Sequence, residues 1–252
     1  MSLVMMEKIN LFIIGTQKGG TTALADFLGK HPDIYIVDGK EAHVFDDPFL
    51  QDAGIDNIQC AYKPFLKAYH GQSVRCDATP VYMYFPEIPA RLSHYNEDAK
   101  IIIILRDPAE RALSQYHMER RRGDEHLPYP LALCAENSRL KKDNHPYLIG
   151  SAHRLFSYRT RGHYCKQLAR IFSLFSPYQV LVLTNRELRQ FHDETLDKVT
   201  NFLGIEKLMV AQESVFSGNY QPTLTERIST WLLKLYFLPE KVRLRYRYNI
   251  KL

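Results

Sequence analysis

The sequence predicts an α/β fold, a parallel sheet with helices on both faces. Three segments carry that expectation. Residues 9–15 (INLFIIG), Lys100–Leu105 (KIIIIL) and residues 179–183 (QVLVL) are short apolar runs without polar alternation, as strands buried on both faces should be. Stretches with helical spacing of apolar residues separate them, so strands and helices alternate along the chain.

Taken in order, residues 9–15 end at Gly15 as a buried first strand. Residues 21–30 then place Ala23, Leu24, Phe27 and Leu28 on one helical face, and His31-Pro32 ends that helix. Residues 34–37 are a second short strand, 45–57 a loop and 58–69 a helix. Residues 73–77 are a strand that runs into a Thr79-Pro80 turn. After the isoleucine-rich strand, Asp107 is placed to cap a helix that tolerates Pro108 in its first turn and continues through Ala112, Leu113, Tyr116 and His117 to about Arg122. Helices are expected over 131–141 and 162–175, a strand over 179–183, and a helix over 196–203 closed by Gly204. Residues 225–237 read as an amphipathic helix. The tail 241–251 is basic and aromatic; Lys241, Arg243, Arg245 and Arg247 could form a strand edge, a membrane-surface patch or an acceptor-binding rim, and a plain solvated tail is expected. No repeat or linker interrupts the 252 residues, so one domain is expected, with its core in about 9–204 and an appended segment over 205–252.

Hydrophobic residues make up 45% of the chain and charged residues 24%, enough to bury a core. Lys and Arg number 33 against 28 Asp and Glu, a formal +5 that suits an anionic ligand or a membrane surface; no nucleic-acid partner is expected. Cys60, Cys76, Cys134 and Cys165 lie far apart in sequence, without zinc or redox spacing, which points to reduced thiols and a cytoplasmic chain. No apolar run reaches the roughly eighteen residues needed to span a bilayer. Residues 1–10 lack the pattern of a signal peptide.

Chemistry concentrates first in Gly15-Thr16-Gln17-Lys18-Gly19-Gly20-Thr21-Thr22, between a strand and a helix. Gly19 and Gly20 let backbone approach a ligand. The first N–H groups of a helix form an anion site. Lys18 adds a full charge, and Thr21 and Thr22 add hydroxyl donors. Gly15 and Gly20 have the spacing of a Walker A loop, but Thr21 stands where that pattern has lysine, so the loop is P-loop-like without being a Walker loop. Downstream, Glu41-Ala42-His43-Val44-Phe45-Asp46 offers two general bases, Glu41 and His43. Arg106-Asp107-Pro108-Ala109-Glu110-Arg111-Ala112-Leu113-Ser114 follows the central strand. Its arginine lies where doubly wound sheets bind ligands, and its planar fork suits phosphate oxygens.

The segment Lys18-Gly19-Gly20-Thr21-Thr22-Ala23-Leu24 resembles the 5′-phosphosulfate loop of sulfotransferases that use 3′-phosphoadenosine-5′-phosphosulfate (PAPS), and is most similar to the heparan sulfate-type branch and its bacterial relatives. The resemblance implies that Gln17, Lys18, Gly19, Gly20, Thr21 and Thr22 bind the donor, and that Lys18 stabilises charge on the leaving phosphate. It also implies that Arg106 and Ser114 grip the 3′-phosphate. Glu41 is the base by the same resemblance, with His43 the rival, as in the cytosolic small-molecule branch. Asp77-Ala78-Thr79-Pro80 resembles a family turn in which Ala78 takes the place of a lysine, which argues against a glycosaminoglycan acceptor. Arg161-Gly162-His163-Tyr164 resembles a segment bordering the nucleotide and adds Tyr164 to the donor site. Ser217-Gly218-Asn219-Tyr220 is a reduced counterpart of the loop that covers the donor. No metal is expected. The acceptor could be a saccharide, a lipid or a small metabolite, attacked through a hydroxyl or amine. A P-loop kinase or other ATP-dependent phosphotransferase is the alternative enzyme, and a nucleotide-binding module without catalysis the alternative of another class. Arg120-Arg121-Arg122 is expected to be a solvated charge run.

Overall fold

Five parallel strands form one sheet in the order β2-β3-β1-β4-β5, with β1 at Leu11–Gly15, β2 at Ile34–Ile36, β3 at Val74–Asp77, β4 at Lys100–Leu105 and β5 at Val180–Thr184. The structure is a computed structural model and describes residues 7–210 and 220–252. Strand β1 is central. It pairs with β3 on one side and β4 on the other, with Phe12 opposite Ile101 and Ile13 opposite Ile102. The chain winds first toward β2 and then, after β4, toward β5. The point where the winding reverses lies between β1 and β4, and ligands of such sheets bind outside the carboxyl ends of the strands at that point.

The absence of polar alternation in β1 and β4 follows from their burial. Phe12, Ile14, Ile101 and Ile103 enter a core on one face with helices α3 (Ile88–Tyr95) and α7 (Tyr164–Phe172). Leu11, Ile13, Ile102 and Ile104 enter a second core on the other face, with α1 (Thr21–Leu28) and α9 (His192–Leu203). A third core joins α4 (Pro108–Arg122), α5 (Tyr129–Lys141) and α10 (Leu224–Tyr236) through Ala109, Leu113, Tyr116, Tyr129 and Leu233.

The expected strands are present, with small shifts of their ends. The Asp107 cap is also as expected, its carboxylate accepting from the N–H groups of Ala109 and Glu110. Helix α2 occupies Ile55–Tyr62 rather than 58–69, because Pro64 halts it. Three short helices went unseen. These are α3, hidden behind a proline-rich approach, α6 (Ala152–Leu155), and α8 (Asn185–Gln190), which starts at a Thr184/Glu187 capping box. Tail residues 241–251 are mostly exposed, as expected, but they are helical rather than a plain tail: Leu238–Tyr248 form helix α11, with Pro239 in its first turn and Asn249 at φ 55° closing it. Its basic residues at every second position mask an i, i+4 apolar pattern.

Candidate active site

The loop after β1 is folded tightly onto the end of β4. Thr16 N–H donates to the Ile104 carbonyl at 2.9 Å, and Gly19 N–H returns to the Thr16 carbonyl at 2.8 Å. A side chain at Gly19 would put its Cβ 2.4 Å from the Ile104 oxygen, so the turn requires glycine there. Lys18 holds a left-handed φ of 65°, a conformation that costs a non-glycine residue free energy and that the tight turn imposes on it. Gly20 caps α1 with no side-chain hydrogen bond, and the first turn of α1 contains no acidic residue. The N–H groups there are consequently available to an anion. Among the described residues, the side chains of Lys18, Thr21 and Thr22 accept or donate no hydrogen bond.

Arg106, at the end of β4, faces this loop: its Nη1 comes within 3.5 Å of the Lys18 carbonyl oxygen. Its Nε is buried without a hydrogen-bond partner and lies 3.6 Å from Glu110. Ser114 stands one helical turn beyond Glu110 on the same face of α4, and its hydroxyl bonds to no other described residue. The amine of Lys18 has a lowered pKa, first because it is buried and then because Arg121, Arg106 and Arg122 repel its charge. The arginine run 120–122 is exposed, as expected, yet it is not without influence on the site. Two of its members act electrostatically on the loop lysine.

Two residues that the sequence reading did not place in the site hold the loop. Asn185 of α8 donates to the Gly19 carbonyl at 2.7 Å. Arg161, fully buried, donates to Gln17 Oε1 at 2.6 Å, to Ser157 and to the carbonyls of His153 and Arg154, and lies over the Tyr84 ring. Burial lowers its pKa to about 10. Its place in the family-like segment with Tyr164 was the only signal in the sequence. Gln17 is therefore occupied by Arg161. Tyr164 is placed under the site rather than in it: it is fully buried and donates to the Arg106 carbonyl at 3.0 Å, fixing the turn that carries the arginine. Of the segment 217–220, Ser217, Gly218 and Asn219 lie outside the described residues, and Tyr220 stacks on His117 of α4.

On the other side of β1, Glu41 and His43 are held together. Asp77, buried at the end of β3, accepts from Thr79 at 2.6 Å, Tyr62 at 2.7 Å, Tyr82 at 3.0 Å and the Ala42 N–H at 3.4 Å, anchoring this segment to the sheet. Lys40 and His43 both have positive φ, which turns the chain back on itself. Lys40 Nζ sits 2.7 Å from Glu41 Oε1, and His43 Nε2 3.4 Å from Glu41 Oε2. His43 Nδ1 is 2.9 Å from Asp46, whose carboxylate is fully buried and also bound by Arg154 at 2.6 Å. Burial alone would raise the Glu41 carboxyl, but His43 and Lys40 outweigh it and lower the pKa to about 2. Burial would lower His43, but Asp46 and Glu41 outweigh it and raise the pKa to about 9. At neutral pH the pair is a carboxylate and an imidazolium, so only Glu41 is in a proton-accepting form.

Two cation-lined loops at the carboxyl ends of neighbouring strands, with an ionised carboxylate in the segment after β2 of the same sheet, suit an enzyme that transfers a group from a phosphorylated nucleotide. The chain belongs to the sulfotransferase domain family, whose model matches residues 8–220. Over 205 residues it is 29% identical to heparan sulfate glucosamine 3-O-sulfotransferase 3B1 of Homo sapiens, covering 81% of this chain and 48% of that protein. The chain spans about half the length of the curated relatives it matches. The crystal structure of a sulfotransferase from Alicyclobacillus acidocaldarius superposes with a TM-score of 0.79 at 28% identity, over 98% of both chains. Mouse sulfotransferase SULT7A1 complexed with PAP shares the fold, with a TM-score of 0.50 at 18% identity over 78% of this chain and 59% of that one. Sulfotransferases of this family take the sulfuryl group from PAPS, and nothing in the comparisons supports the phosphotransferase alternative.

Proposed function

We propose that this chain transfers the sulfuryl group of PAPS to a hydroxyl or amine of a saccharide or sugar-bearing metabolite. The observation that carries the reading is the approach of the Arg106 guanidinium to the Lys18 carbonyl, which ties the two anion loops together. The buried, unpartnered Arg106 Nε and the uncapped start of α1 fit a nucleotide with phosphates at both ends. PAPS supplies the activated sulfur. Lys18 and the loop N–H groups neutralise charge gathering on the leaving 5′-phosphate, and Arg106 with Ser114 fixes the donor's register through the 3′-phosphate. Glu41 takes the acceptor's proton as the acceptor oxygen or nitrogen bonds to sulfur and the bond from sulfur to the phosphate oxygen breaks. The saccharide class is supported by the names of the human and mouse relatives. Ala78, in place of a lysine, favours a small sugar acceptor over a long polyanion. A cytoplasmic setting is part of the same proposal, supported by four cysteines that are all unpaired.

Calorimetric titration with adenosine 3′,5′-bisphosphate and with Mg-ATP, followed by transfer of labelled sulfate from PAPS to a panel of saccharides, tests this. Tight binding of the bisphosphate, weak binding of Mg-ATP and label on a sugar are expected. Equal binding of the two nucleotides, or label on phenols or lipids alone, would overturn the donor and the acceptor assignments respectively.

A further inference from the structure

We propose that helices α10 and α11 form a docking surface for anionic lipid bilayers. Residues 224–252 contain seven Lys and Arg and two Glu, which leaves 26 basic and 26 acidic residues in the rest of the chain. The whole formal charge of +5 therefore lies here. Both glutamates, Glu226 and Glu240, are turned inward and buried. Lys234 and Lys241 are spent on Glu110 and Asp107 of the Arg106 turn. Arg227, Arg243, Arg245, Arg247 and Lys251 are exposed and have no ion-pair partner among the described residues. Between these cations runs an apolar stripe. In α10, Leu224, Ile228, Trp231 and Leu235 recur at i, i+4, i+7 and i+11, and Trp231 is 59% exposed. In α11, Leu238, Val242 and Tyr246 recur at i, i+4 and i+8, all exposed. A helix on a protein surface normally turns such a stripe toward the core. Here Leu233, Phe237 and Leu244 anchor the opposite face, and the larger apolar stripe points outward.

Aliphatic side chains, a tryptophan and a tyrosine rimmed by arginines are what an interfacial helix presents to headgroups and upper acyl chains. Charge complementarity selects the anionic bilayer over the other occupants. A second copy packed face to face would oppose five unpaired cations with five more. A nucleic acid would leave the apolar stripe in water. Because Lys234 and Lys241 reach the turn carrying Arg106, docking would set the proposed nucleotide site at a fixed position relative to the membrane.

Trp231 is the single tryptophan of the chain, so its emission reads the surface directly. Added phosphatidylserine-containing vesicles should shift it to the blue and carry the protein in flotation. Pure phosphatidylcholine vesicles should do neither, and high salt should reverse the effect. Leu235→Glu should abolish flotation, and Arg243→Ala with Arg245→Ala should weaken it by about fivefold per arginine removed. Both variants should keep adenosine 3′,5′-bisphosphate binding, which shows that they fold. Equal binding to both vesicle types or to neither would overturn the proposal. So would a lipid-free, concentration-dependent dimer in which Trp231 is already blue-shifted.

Discussion

The two parts of the proposed site, the donor side around Lys18 and the acceptor side around Glu41, handle charge in opposite ways. On the donor side, Lys18, Arg106 and the arginines at the end of α4 repel one another, and the Arg106 Nε is buried without a hydrogen bond. On the acceptor side, Lys40, Glu41, His43, Asp46 and Arg154 form a chain of ion pairs in which each charge has an opposite neighbour. The contrast teaches what each side is built to receive. A cluster of like charges, with its helix N-terminus uncapped, is completed only by an anion. A compensated network needs no ligand to hold its shape, and instead fixes the protonation state of Glu41, the proposed base.

The harshest way to break the contrast is to remove the central cation. Lys18→Ala should lower turnover on the order of 10³-fold, the scale of losing a donor aimed at developing negative charge. Binding of adenosine 3′,5′-bisphosphate should fall much less, because Arg106, Ser114 and the loop N–H groups remain. Near-normal turnover in the sulfate-transfer assay would remove the mechanism.

That loop was also the most legible part of the chain. Glycine, lysine and threonine between an apolar strand and a helix are local features, and the local backbone carries their function. Strand β4 and the Asp107 cap were readable for the same reason. What supports the site was not readable, because it arrives from far along the chain. Asn185 reaches Gly19 across 166 positions and Arg161 reaches Gln17 across 144. Tyr164 looked like a ligand-facing residue because sequence gives proximity to a motif but not the direction of a ring. The sequence also left Glu41 and His43 level as candidate bases, because the placement of Asp46 and Arg154, which favours a charged imidazole, is set by the fold.

The acceptor side gives a smaller effect and a sharper diagnosis. Glu41→Gln should lower kcat on the order of 10²-fold, with donor affinity unchanged. The pH profile of the unsubstituted enzyme then separates the two bases. With Glu41 ionised above about 2 and His43 charged up to about 9, kcat/KM should be flat through neutrality. It should fall above about pH 9, as His43 loses the proton that holds Glu41 in place. If His43 were the base, the rate would instead climb with pH toward that value, and the assignment of Glu41 would be lost.

The smallest effect tests a buried acidic group that, like the more exposed Glu110 beside Arg106, breaks the pattern on the donor side. Glu119 of α4 is fully buried, and neither carboxylate oxygen has a hydrogen-bond partner; Arg122 approaches only to 3.6 Å. Burial raises its pKa to about 7 from an ordinary 4.5, against the lowering influence of Arg122, Arg161 and Lys18. The folded protein therefore binds a proton there more tightly than the unfolded chain does. Its stability should decline as pH rises from about 4.5 to about 7, and stay at the lower level above that. Glu119→Gln keeps the shape of the protonated side chain and removes the ionisation. Thermal unfolding should then show a gain on the order of 1 to 3 kcal/mol at pH 8 and almost none at pH 4. An equal change at both values would mean that the Glu119 carboxyl is not raised by folding and is ionised in the folded protein at neutral pH. The cation cluster beside Lys18 would then already contain its own counter-charge, and the contrast between the two parts of the proposed site would have to be redrawn.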